Sequence, residues 1–224
     1  VVTSSSTSQT STTNIDTPPT PENLPVVEEK PPVVEEKPVV EEVVPSAPFT
    51  DTKGHWSELF VDKLYAWDVV QGRTPTTYDV DAKLTRAEMV KIALLLFKYQ
   101  DILDEKADNP FTDEKGWWDM YAAAAKKAGI ITGYSDGTFR PNSFVTRAEA
   151  AKILTLASKK MKKMDAKAAP FTDVVQGSWY APSVNFLFEN GVVAGKTKEL
   201  FAPDDSITRG EMAKMAVNLY ELKI

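Results

Sequence analysis

Cysteine is absent from the 224 residues, and histidine occurs once, at His55. No disulfide scaffold and no thiol nucleophile is therefore available. No apolar run approaches the roughly 18 residues of a membrane-crossing helix. Residues 1–48 contain no aromatic side chain. They have little to bury and are expected to stay disordered. The charge imbalance is confined to the same stretch, whose two lysines and eight acidic residues account for the whole net charge of −6. The rest of the chain is electrically balanced, which gives no support to a nucleic-acid footprint. Gly-x-Ser-x-Gly, His-Glu-x-x-His and phosphate-loop patterns are all missing, so no catalytic residue, metal set or cofactor is expected. No signal segment is visible, and the chain starts at Val1 rather than Met. An upstream segment removed or never included would explain both, so this says nothing about export.

Residues 1–48 have a composition of their own. Ser and Thr dominate residues 3–13, and Val-Val-Glu-Glu then recurs at Val26, Val33 and Val39, with Pro31, Pro32 and Pro38 between. Proline holds the backbone near polyproline geometry, and the glutamates repel one another. The stretch reads as an extended spacer, which anticipates something attached before it.

Residues 49–224 repeat one unit three times. Phe49-Thr50-Asp51 matches Phe111-Thr112-Asp113 and Phe171-Thr172-Asp173. Trp56 is aligned with Trp118 and Trp179, and Gly72 with Gly133 and Gly195. Thr85-Arg86-x-Glu88 matches Thr146-Arg147-x-Glu149 and Thr208-Arg209-x-Glu211. The repeats are placed at residues 49–110, 111–170 and 171–224. The aspartates are expected to accept N–H bonds near a helix start. A first helix is predicted over about 56–67, 118–128 and 179–190, with Gly129 and Gly191 at the C′ position and Asp68 in their place in the first copy. An apolar pair and the repeated glycine come next. Six residues after that glycine stands an aromatic, Tyr78, Phe139 or Phe201, expected to plug the gap between helices. The second helix opens with a capping box, Thr at the N-cap and Glu at N3. It should run to about residues 99, 160 and 220. The expected fold is mainly α, three helix–loop–helix repeats packed into one body, because a unit of this size is small to stand alone. Stacking in a row and closure about a pseudo-threefold axis both remain open on these grounds.

These residues resemble the S-layer homology domain family over the whole chain after residue 48. Copy 2 carries nearly the full pattern, with Phe111, Asp113, Trp118, the loop Gly133-Tyr134-Ser135-Asp136-Gly137-Thr138-Phe139-Arg140-Pro141 and the helix start Thr146-Arg147-Ala148-Glu149. The resemblance implies a pseudo-threefold helical domain whose first helices meet around a central axis. It implies a secreted, cell-surface module that anchors an S-layer or exoenzyme without covalent chemistry. The partner it implies is a cell-wall polysaccharide, often bearing a pyruvate ketal, or a peptidoglycan-linked glycan, held in grooves between repeats. The other function class is a structural assembly module that meets S-layer protein neighbours and binds no glycan.

Candidate ligand-binding residues are Arg86, Arg147, Arg209, Trp56, Trp118, Trp179, Gly72, Gly133, Gly195, Tyr134 and Asp113. Each arginine sits at N1, where it opposes the helix dipole. It either braces the Asp of the opening turn or a loop carbonyl, or it joins the helix-start N–H groups in holding a carboxylate. The resemblance places it against the ketal carboxylate. The tryptophans are core packing or groove walls for a sugar face. The three glycines serve backbone geometry, which is compatible with close ligand approach. Asp136, Asp81, Asn142, Asp204 and Asp205 lack the spacing of a calcium loop and read as turn residues. Copy 1 has "TPTTYDV" and copy 3 "KTKELFA" in place of the Asp-Gly-Thr turn, so copy 2 is expected to supply the most intact half-site and one or two grooves to work.

Overall fold

The computed structural model describes residues 45–161 and 166–223. The spacer expectations for residues 1–44 lie outside this range. Among the described residues there are six α-helices and isolated bridges but no extended strand. First helices are α1 (Glu58–Ala66), α3 (Asp119–Lys127) and α5 (Ala181–Glu189). Second helices are α2 (Arg86–Leu96), α4 (Arg147–Ser158) and α6 (Arg209–Glu221).

Each second helix starts where its capping box requires. The hydroxyls of Thr85, Thr146 and Thr208 accept from the N–H of Glu88, Glu149 and Glu211, whose carboxylates return the bond to the threonine N–H. The next two amides, orphans in any helix, donate to a loop of another copy. Arg86 and Ala87 N–H bond Ser143 and Pro141 carbonyls, Arg147 and Ala148 bond Asp205 and Pro203, and Arg209 and Gly210 bond Ala82 and Val80. The helix-start amides are thus spent on protein carbonyls.

The packing order differs from the sequence order. α2 packs on α3 and α4, α4 on α5 and α6, and α6 on α1 and α2. Each first helix therefore lies mainly against the second helix of the preceding copy, and α1 closes the ring on α6. The second helices meet one another, whereas no two first helices form a main contact among the described residues. This corrects the expectation that first helices surround the centre. The reason is the breadth of the apolar surface. α2 buries eight of its residues on several faces, whereas α1 buries Val61, Asp62 and Leu64 only. Just before the caps, Leu84, Val145 and Ile207 are fully buried. Leu84 N–H donates to Ile207, Ile207 N–H to Val145 and Val145 N–H to Leu84, a closed triangle of backbone bonds at 3.0–3.1 Å.

The opening aspartates do not cap a nearby helix. Asp51 accepts from the N–H groups of Tyr78 and Asp79, Asp113 from Phe139 and Arg140, and Asp173 from Phe201 and Ala202. Asp79, Arg140 and Ala202 all have positive φ, at 69°, 57° and 60°. A carboxylate spanning two successive amides secures that sparsely populated conformation. Partial burial works against the charge of Asp51, yet the backbone N–H groups of Tyr78 and Asp79 hold its pKa below the ordinary value.

The plug aromatics Tyr78, Phe139 and Phe201 are fully buried. The Tyr78 hydroxyl finds no hydrogen-bond partner among the described residues, and burial pushes its pKa up to about 12. An unpaired buried hydroxyl costs stability on the order of 1 kcal/mol or more. Tyr78→Phe, the residue of the other two copies, is expected to raise the melting temperature by a few degrees. A calorimetric melt that falls by a similar amount would show that the hydroxyl is paired in solution.

Candidate functional site

The ring leaves three grooves, and each draws on all three copies. The first is lined by Trp56 from copy 1, Arg147 from copy 2, and Gly195, Lys196, Glu211 and Lys214 from copy 3. The second joins Trp117 with Glu88, Lys91 and Arg209. The third joins Trp179 with Arg86, Gly133, Tyr134, Glu149 and Lys152.

The tryptophans of the grooves are surface residues, with Trp56, Trp117 and Trp179 exposed to 54, 52 and 54 %. A lysine of the neighbouring second helix lies over each ring. Lys214 is 5.9 Å from the Trp56 centroid, Lys91 5.8 Å from Trp117 and Lys152 5.1 Å from Trp179, within cation–π range. In copy 2 the groove residue is thus Trp117 and not Trp118. Trp118 is the N-cap of α3 and shares a separate concavity with Asp113, Lys115 and Arg140. Counting back from the apolar pair exposes the one-residue shift, since Trp56, Trp117 and Trp179 each stand 13 residues before Val69, Ile130 and Val192. Alignment on the Phe-Thr-Asp turn hides it. The lysines, five residues after each arginine, were missed because a lysine on a helix reads as solvated surface.

The arginines are only 5–7 % exposed. Arg147 donates Nε–H to the Phe201 carbonyl at 2.9 Å, and Arg209 does so to Tyr78 at 2.9 Å while its Nη2 reaches the Gln71 carbonyl at 3.0 Å. Each also faces the capping-box glutamate of another copy, Arg86 to Glu149 at 3.1 Å, Arg147 to Glu211 at 3.5 Å and Arg209 to Glu88 at 3.8 Å. None of the three forms an ion pair with the opening aspartates Asp51, Asp113 or Asp173. The structural partners are loop carbonyls and glutamates instead. Desolvation lowers the pKa of Arg147, and Glu211 opposes this.

The residue after each repeated glycine contacts the same glutamate. Arg73 lies 2.9 Å from Glu88, Tyr134 Oη donates to Glu149 at 2.7 Å, and Lys196 pairs with Glu211. Three unlike side chains thus converge on one task, which no residue-type pattern could reveal. The glycines are sterically required. A Cβ on Gly72, Gly133 or Gly195 would overlap the ring of Phe49, Phe111 or Phe171, and Gly133 also has φ +82°. Gly133 and Gly195 line grooves, whereas Gly72 belongs to an adjoining hollow with Arg73 and Tyr65. Asp113 spends its carboxylate on the loop amides.

The His55 ring lies 5.1 Å from that of Trp56, tilted by 42°, and meets the Ser57 hydroxyl at 2.7 Å. Asp136 accepts from Thr138 and from Arg140 within its own turn, and these bonds hold its pKa well below the carboxylate range. Among the described residues no cluster of His, Asp or Glu suits a metal ion, and no helix is long and apolar enough to cross a membrane.

The family model described as the S-layer homology domain matches residues 48–90, 110–151 and 170–213, more than half of the chain. The chain belongs to the S-layer homology domain family. Proteins similar to this chain include an amylopullulanase of Thermoanaerobacterium thermosulfurigenes, 33 % identical over 77 % of this chain and 9 % of the relative. Another is the exoglucanase XynX of Acetivibrio thermocellus, 32 % identical over 79 % of this chain and 16 % of the relative. An S-layer protein of Bacillus thuringiensis subsp. finitimus is 29 % identical over 71 % of this chain and 20 % of its own length. The chain therefore spans a fifth or less of these relatives. S-layer homology membership places it at the cell surface, in the cell wall or S-layer.

Proposed function

We propose that the three repeats form a non-covalent anchor that binds an anionic cell-wall polysaccharide in the inter-repeat grooves and so holds a surface protein on the envelope. The observation that carries this reading is the threefold recurrence of a buried guanidinium beside a half-exposed tryptophan overlain by a lysine. A core has no use for a ring kept half in water. A pyranose does, since its C–H face packs on a flat aromatic while its hydroxyls and carboxylate meet charged donors. The ring of backbone bonds supports a pseudo-threefold arrangement in which one ligand chemistry is met three times. No catalytic step is assigned, because the recurring acid in each groove is engaged by its capping box and a cation. The relatives point the same way. The amylopullulanase, the exoglucanase and the S-layer protein differ in what they are named for, yet each matches this chain over a small part of its own length, as expected of a shared attachment module.

The test is cosedimentation of the protein with sacculi before and after their non-peptidoglycan polymer is removed, with a Trp56→Ala/Trp117→Ala/Trp179→Ala variant alongside. Binding is expected to vanish on polymer removal and to fall by at least about 100-fold in the variant, at roughly 1 kcal/mol or more per ring. The melting temperature should change little, because all three rings are on the surface. Equal binding to stripped sacculi would assign peptidoglycan instead, and no binding to either would favour the protein-assembly reading.

A further inference from the structure

Copy 1 departs from the other two around the hollow beside Gly72. Tyr65 lies there with Pro48 and Pro75, and Asp68, Gln71 and Arg73 supply its polar groups. The hollow encloses about 680 Å³, within the roughly 300–1,000 Å³ of small-ligand sites. Tyr65 is 39 % exposed, and its ring is set edge-on against Phe49 at 5.3 Å. Counted from the repeated glycine, Tyr65 is replaced by Lys126 and Phe188, Asp68 by Gly129 and Gly191, and Gln71 by Thr132 and Ala194. In copy 2 the lysine covers this place, with Nζ 4.5 Å over the Phe111 ring and donating to the Pro110 carbonyl at 3.3 Å. Asp68 is the residue that the fold alone does not explain. It follows the end of α1 with φ 56°, where Gly129 and Gly191 stand at 72° and 68°. Aspartate tolerates that conformation less well than glycine, and a carboxylate at a helix C-terminus opposes the helix dipole. Among the described residues it enters no ion pair. A residue kept against both backbone and electrostatic preference points to a use outside the fold.

The hollow adjoins the second groove. Gln71 lines both. Arg73 reaches from the hollow to Glu88 of the groove at 2.9 Å, and Arg209 holds the Gln71 carbonyl at 3.0 Å. We infer that the hollow is a further saccharide subsite, which takes an uncharged pyranose next along the chain from the sugar in the second groove. The Tyr65 ring offers a flat face to the C–H groups of that pyranose, and the Asp68 carboxylate accepts from its hydroxyls. The same exposed carboxylate repels a sugar acid, so this subsite differs in charge preference from the arginine-lined grooves. The inference rests on the polysaccharide reading of the grooves. It adds a second contact outside them, made by copy 1 alone, that selects the neighbouring sugar.

The experiment uses the full chain and the non-peptidoglycan polysaccharide released from Bacillus thuringiensis sacculi, titrated calorimetrically, with melting temperatures measured in parallel. A Trp56→Ala/Trp179→Ala background leaves the second groove as the one that keeps its tryptophan. In that background Asp68→Gly, the residue of the other two copies, is expected to weaken binding roughly tenfold, the equivalent of one charge-assisted bond. Its melting temperature should stay unchanged or rise, because the strained backbone and the opposed dipole are both relieved. A residue with a purely structural role cannot give that pair of signs. Gln71→Ala, the residue of copy 3, should weaken binding about threefold or more at an unchanged melting temperature. An Asp68→Gly variant that binds as tightly as its background, or one that loses binding and melting temperature together, overturns the subsite and leaves the groove reading standing. A background that no longer binds although the wild type does also overturns the subsite, since the second groove then holds no sugar. A wild-type protein that does not bind the polysaccharide overturns both.

Discussion

A chain ending at residue 170 is expected to lose cooperative folding altogether. The first two copies would still contain α1 to α4, with the capping boxes of α2 and α4 intact. They would lack α6, against which α1 packs. They would also lack the partners of the Ala82 and Val80 carbonyls and two of the three bonds of the Leu84–Val145–Ile207 triangle. Arg147 would lose the Phe201 carbonyl and Glu211 together. Every first helix rests on another copy's second helix, so removing one copy opens the ring at two seams. Two-thirds of a body this small cannot offset its chain entropy after such a loss. Circular dichroism should show reduced helix and no sigmoidal melt, with amides of α1 exchanging as fast as those of an unfolded chain. A two-copy chain with a sharp melt and protected α1 amides would mean that neighbouring pairs are stable without closure.

Asp173→Ala should be the most damaging single substitution among the loop residues. Its two carboxylate oxygens hold the Phe201 and Ala202 amides at 2.8 and 2.7 Å. Alanine leaves both donors without a partner and releases Ala202 from its left-handed conformation. At about 1–3 kcal/mol per unpaired amide, the loss is about 2–6 kcal/mol, or roughly 5–20 °C in a domain of this size. The effect reaches further, since the Phe201 carbonyl is the brace for Arg147 and the Pro203 and Asp205 carbonyls complete the start of α4. Asp173→Asn should lose less, because its amide oxygen still accepts one bond. A melt within 2 °C of wild type for Asp173→Ala would show that the loop is held by its aromatic plug alone, on the ~2–4 °C per kcal/mol scale.

The sequence alone determined the elements whose causes are local. A threonine three residues before a glutamate, ahead of an apolar run, fixes where α2, α4 and α6 begin, because both bonds of the box lie within one turn. Gly129 and Gly191 take positive φ at the ends of their helices, and Asp68 does so where the first copy lacks the glycine. The burial of Tyr78, Phe139 and Phe201 followed from their fixed distance after the glycine. The repeat itself, and with it the family, needed only residue identity at fixed spacing.

Tertiary structure decided everything that depends on which copy meets which. The helix-start amides and the arginines looked available to a ligand, yet their nearest partners are carbonyls and glutamates of another copy, far away along the chain. Whether first or second helices meet at the centre depended on how many faces each could bury. The exchange of Trp118 for Trp117 in the groove turned on a single-residue offset that an open helix start absorbs without breaking any local pattern. Arg73, Tyr134 and Lys196 share a task that is defined by a glutamate in space and by nothing they have in common as residues. Contacts across the ring carry no sequence signal, because the chain distance between partners exceeds the reach of any periodicity, and only closure of the three copies brings them together.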